Sequence, residues 1–197
     1  MPPDSISWLA VVVILCACVG LVLIRDWRWA LALLAGQYLA AFWLVSIQWP
    51  IGLASVKLVT GWMSIAALGI TRLGMPIGRM DEKSSPQRIR FEAFLVAIMA
   101  LLAGAAAPGI LSLLPGLKTP IAVGSALLIS LGLLHLGLTT DVLRVILALL
   151  TVLSGFEIIY AAVEGSILVA GLLSIVNLGL GLVGAYLLLA QAEEATP

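Results

Sequence analysis

Seven apolar runs, each long enough to cross a lipid bilayer, occupy almost the whole chain and leave only short polar stretches between them. About 20 residues of helix span the roughly 30 Å hydrocarbon layer, so runs of about 18 apolar residues or more read as transmembrane helices. A helix satisfies its backbone hydrogen bonds within one segment, which lipid demands of any spanning element. The expected fold class is therefore all-α, a polytopic membrane helix bundle of about seven helices. Of 197 residues, 62% are hydrophobic and 10% charged, where soluble domains carry about a quarter charged.

The runs fall at about 6–24, 29–47, 51–71, 91–114, 121–138, 142–163 and 167–190. RDWRW closes the first and QWP the second, and the third contains Lys57. After it comes RLGMPIGRMDEKSSPQRIR, the one substantial hydrophilic stretch. Pro108-Gly109 is expected to bend or end the fourth span. PGLKTP leads into the fifth, and TTD opens the sixth with Asp141 placed as an N-cap. QAEEATP forms a short acidic tail. We read 1–197 as a single membrane domain, with a four-helix part at 1–114, a basic cytoplasmic loop at 72–90 and a three-helix part at 121–190.

The net charge is zero, so no bulk attraction to nucleic acid is expected. Cys16 and Cys18 stand two apart, a spacing that turns them to different sides of a helix; both read as small buried hydrophobes. There is no CxxC, no His/Cys cluster and no GxGxxG after a strand, so neither a metal nor a cofactor is expected. MPPDSIS carries an acid and no basic n-region, and the first run is read as a retained span.

Arg25 and Arg28 lie in the first loop, Arg72, Arg79, Lys83, Arg88 and Arg90 in or beside the third, and Arg144 next to the fifth. The opposite loops hold only Lys118. Basic loops stay cytoplasmic, which puts the N-terminus outside and the C-terminus inside. Trp8, Trp27, Trp29 and Trp49 fall near span ends, where amphipathic rings settle.

Polar groups inside spans are costly and are functional candidates by default. Here they are Gln37, Lys57, His135, Glu157 and Asn177. At about 1.5 Å of rise per residue, Lys57 and Glu157 both sit roughly 9 to 11 Å below the outer boundary. Asn177 and Gln37 lie near the midplane, and His135 near the cytoplasmic end of its span. Together they sample successive depths, as a hydrated polar axis would. Each has a plainer reading. Lys57 can snorkel to the headgroups, Gln37 and Asn177 can be interhelical glue, and His135 can be interfacial. Glu157 is harder to explain away, because two turns separate it from the loop and a carboxylate reaches only a short way. The glycines of the last span, Gly171, Gly179, Gly181 and Gly184, are expected to let helices or another subunit approach closely.

From about residue 126 onward the order is a span with LGLLHLGL, a polar turn, a span with GFEIIYAAV and a glycine-rich final span. This resembles the three-helix K subunit of bacterial NADH–quinone oxidoreductase and the related C subunit of Mrp-type multisubunit cation/proton antiporters. Gly155-Phe156-Glu157 matches the family's Gly-hydrophobic-Glu element, so the resemblance implies that Glu157 is a membrane-embedded acid on a proton path. The whole chain is similar to the E component of group 4, formate-hydrogenlyase-type membrane hydrogenases, which has extra helices before a K-like half. Gln37 followed by Lys57 in the next span fits that pattern, as does LLHLGLTTDVLRVIL with Leu143-Arg144. The chain departs from the K pattern in two respects. Asn177 stands nearest the position of a second acid, and Glu157 lies about two turns further from the preceding loop.

The resemblance implies a non-redox membrane-arm subunit of a complex I-like, hydrogenase-like or antiporter-like assembly in a bacterial inner membrane, partnered by large antiporter-like subunits and by lipid. Glu157 would carry protons or Na⁺, Lys57 would modulate it, and Asn177 and Gln37 would hold water. The alternative is a structural or docking subunit in which Lys57 and Glu157 only tie helices together, which Asn177 in place of an acid favours. An independent transporter fits less well, since no inverted repeat or pair of broken spans is visible.

Overall fold

Helix boundaries follow local chemistry at each polar turn. The computed structural model describes residues 3–75 and 86–194. Among them are seven α-helices and no strand: α1 (Pro3–Leu23), α2 (Trp27–Ser46), α3 (Ile51–Leu73), α4 (Pro86–Leu113), α5 (Thr119–Leu138), α6 (Val142–Val163) and α7 (Ile167–Glu194). All seven are long and apolar enough to cross a membrane, which makes this a multi-pass membrane protein by architecture. Arg79 and Lys83, with most of the 72–90 loop, lie outside the described residues.

Asp26 caps α2 by accepting from the Arg28 backbone N–H at 2.9 Å. Asp141 does the same for α6 with the Arg144 N–H at 3.3 Å, satisfying donors that helix starts leave unpaired. Pro120 sits in the first turn of α5, where a missing N–H costs nothing. Pro108 does not end its helix, and α4 runs on to Leu113. The apolar surroundings of a span offer unwound backbone no competing partner. α4 also begins earlier than its apolar run, at Pro86, and so takes Arg88 and Arg90 into the helix.

The first three helices lie on the last three in matching order, α1 on α5, α2 on α6 and α3 on α7. α4 rests outside against α5 and α1. α5 and α6 are the most enclosed, whereas α3, α4 and α7 present most of their surface outward. One apolar core gathers Ile14, Leu44, Ile121, Leu128 and Ile158. A second gathers Leu34, Tyr38, Leu68, Leu147 and Leu150. Both draw on helices from either side of the α4–α5 turn.

One expectation needs correcting. Cys18 is buried but Cys16 is exposed, as their two-residue spacing on one helix requires. Of the α7 glycines, Gly181 and Gly184 abut Ser64 and Ile146, while a Cβ added at Gly171 or Gly179 would meet nothing within 4 Å. Within the chain, only the half of α7 nearer Glu194 uses glycine for close packing.

Candidate functional site

Lys57 sits on the buried face of α3 with Ala54, Gly61, Ser64 and Leu68. Glu157 sits on α6 at the end of a polar stripe, Thr151, Ser154 and Glu157, in which every residue is buried. Their side chains, 6% and 7% exposed, form an ion pair between Lys57 Nζ and Glu157 Oε2. Each is six residues from the same end of the bundle, about 9 Å deep at the helical rise. α3 packs on α2 and α7, and α6 on α5, α2 and α7, so the pair reaches across a junction of four helices.

A void of about 10 Å³ touches both charges and is lined by Val45, Trp49, Ala170 and Leu173; that is close to the space of one water. Trp49, in the α2–α3 turn, covers it from the near end. Its Nε1 donates to the Glu164 carbonyl at 3.1 Å, tying that turn to the α6–α7 turn. The Glu164 residue itself is exposed.

Tyr38 lies beneath the pair. Fully buried, it turns its ring toward Lys57 Nζ, 5.7 Å from the ring centroid. Its hydroxyl donates to Asn177 Oδ1 at 2.7 Å. Ser154 adjoins it from α6. Ser64 Oγ donates to the Asn177 backbone carbonyl at 3.1 Å, and Asn177 Nδ2 finds no acceptor among the described residues. Asn177 thus joins α2, α3 and α7 at mid-depth.

Gln37 belongs to a neighbouring contact. It and Thr151 approach at 3.4 Å, and the Cys18 thiol lies 3.8 Å from Gln37 Oε1. About two turns of α6, carrying the fully buried Leu147 and Ala148, then separate Thr151 from Arg144. His135 is on that farther side. It is 2% exposed, without a partner for Nε2 among the described residues, and within electrostatic reach of Arg144 and Arg25. The five polar residues named from the sequence therefore fall into three groups: Lys57–Glu157 above Asn177, Gln37 with Thr151, and His135 among arginines. They do not form one continuous hydrogen-bonded run.

The sequence reading missed Tyr38, Ser64, Ser154 and Thr151. The stripe of polar residues three apart on α6 was the available signal. It also missed Glu92, a carboxylate 3% exposed. Arg25 Nη2 reaches both its oxygens, at 2.6 and 2.8 Å, and Arg88 Nε donates at 3.0 Å. Arg144 in turn donates to the Ile24 carbonyl, a cation at the end of α1 where helix carbonyls are unpaired.

Chemically, a carboxylate and an ammonium in contact, beside a water-sized void, can exchange a proton with water and change their joint charge. No family model, no curated protein and no solved structure matches this chain.

Proposed function

We propose that the chain is a non-redox integral membrane subunit of a complex I-like, hydrogenase-like or antiporter-like assembly, in which Glu157 carries a proton or Na⁺ and Lys57 sets its charge. In this reading it resides in a bacterial inner membrane, with its N-terminus outside, its C-terminus in the cytoplasm and large antiporter-like subunits beside it. One observation carries the proposal: Lys57 and Glu157 form a buried ion pair inside predominantly apolar spans. Burying two charges costs several kcal/mol per ion, and apolar residues of similar volume hold a fold as well or better. Stability alone does not account for such a pair.

The mechanism starts with the carboxylate paired to the ammonium. Water in the void delivers a proton to Glu157, the attraction to Lys57 weakens, and the neutral acid passes its proton on when the pair re-forms. Asn177 Nδ2, with hydrogen-bonding capacity to spare, would hold water on the inner side. The buried turn at Leu147 and Ala148 would slow leakage toward His135, since apolar constrictions resist wetting.

A structural reading is favoured by one specific observation: Asn177 cannot ionise and spends its carbonyl on Tyr38. There the pair would serve only to tie α3 to α6. Replacement of Glu157 by Gln in the intact assembly separates the two. Loss of ion transport per assembled complex supports the carrier role. Unchanged transport with reduced assembly rejects it in favour of the tie. Identification of co-purifying chains tests the proposed partners.

A further inference from the structure

When a proton neutralises Glu157, the Lys57 ammonium loses its counter-charge inside an apolar bundle. It then needs another favourable position within the swing of its four-carbon stem. The ionisable groups around it are few. Tyr38 comes from α2 and Glu157 from α6, while α7 offers none before Tyr186, more than two turns below Asn177. The nearest alternative is the face of the Tyr38 ring, 5.7 Å from Nζ to the centroid, within the distance at which a cation is held by the negative face of an aromatic ring.

Three features fix that ring in place. Gly61, one turn along α3 from Lys57, leaves a notch that the ring fills; a Cβ there would stand 2.4 Å from Tyr38 Cδ1 and Cε1. The hydroxyl is held by Asn177 Oδ1 at 2.7 Å. The residue is 0% exposed, so no solvent covers the ring face, and such contacts are strongest when desolvated.

Resting on the carrier role of Glu157, we infer that Tyr38 is a positioning residue: its ring face, which the Lys57 ammonium already adjoins in the ion pair, is the second seat that holds the ammonium while Glu157 is protonated. The proton on Glu157 comes from water in the void and returns to water. No covalent bond other than those O–H bonds changes, and Lys57 keeps its three protons throughout. The ammonium keeps the ring face when it loses the anion, and the ring limits the cost of the intermediate state.

The test is a ring-electronics series in the intact assembly, with ion transport expressed per assembled complex. Tyr38 is replaced by Phe and then by mono-, di- and trifluoro-Phe, which progressively weaken the ring face at nearly constant shape. Transport is expected to fall at each step, by about tenfold across the series. Tyr38→Leu, apolar and without a ring, is expected to match the trifluoro variant. A flat series overturns the inference, because packing or the Asn177 bond alone would not follow fluorination. Glu157→Gln run alongside tells the two readings apart. If it abolishes transport and the series is flat, only the second seat falls. If it transports normally, the carrier role falls and takes this inference with it.

Discussion

The ring of Tyr38 occupies the space that a side chain at Gly61 would fill. A Cβ there would lie 2.4 Å from two ring carbons and 2.7 Å from a third, and the ring, buried on all sides, has little room to retreat. Gly61→Ala is expected to cost about 1 to 3 kcal/mol by overpacking, read by denaturant unfolding in detergent. Gly36 in α2 has nothing within 4 Å. Gly36→Ala should instead be neutral or stabilise by about 0.5 to 1 kcal/mol, as expected for a helix-interior glycine.

Lys57 and Glu157 answer to each other, so their substitutions should not add. Lys57→Met or Glu157→Leu alone leaves one uncompensated buried charge, at about 3 to 5 kcal/mol. The double variant removes both charges and is expected to recover most of that loss. Unfolding of the two single variants and the double variant checks this. Transport by the double variant should stay abolished although its stability returns. That outcome separates a carrier pair from a structural tie.

Glu92 pins the start of α4 to the α1–α2 turn. Glu92→Gln loses charge-assisted bonds from Arg25 and Arg88, with an expected cost of about 2 to 3 kcal/mol. Faster amide exchange over residues 86–96 should accompany it. Arg88 is the lesser partner, since its side chain is 45% exposed and pairs at i, i+4. Arg88→Ala should cost under about 1 kcal/mol.

Gly155 meets α5 without clearance. A Cβ would stand 2.8 Å from Leu128 Cβ and 3.0 Å from the Ile129 backbone nitrogen. Backbone cannot rotate away as a side-chain tip can, so Gly155→Ala must move α5 and α6 apart. The expected cost is about 2 to 3 kcal/mol. Because Glu157 is two residues along the same helix, crosslinking between positions 57 and 157 as cysteines should weaken in that background.

The one-dimensional features of this protein were legible because lipid imposes a local rule. Any stretch of about 20 apolar residues can span, and a polar turn must separate it from the next. The seven spans, the Asp141 cap and the depths of Lys57 and Glu157 all follow from counting along the chain. Where counting met a competing effect it slipped. Pro108 was expected to bend or end α4, and it does not end it: the helix runs on to Leu113.

What faces what was not legible. A soluble helix announces its inner side by a contrast between polar and apolar residues. In a span both sides are apolar, and α5 gives no such contrast. Nothing in the sequence singled out Tyr38 beside Gln37, yet packing turned it under Lys57 and onto Asn177. Glu92 and Glu164 are both carboxylates near span ends, but Arg25, 67 positions away in sequence, pairs with the buried one while the other stays exposed. The sequence by itself determined how deep each polar group lies, because depth is residue count times helical rise. Only the tertiary structure decided which groups meet, because rotation about each helix axis and the choice of neighbour are set by side-chain packing between segments far apart in the chain.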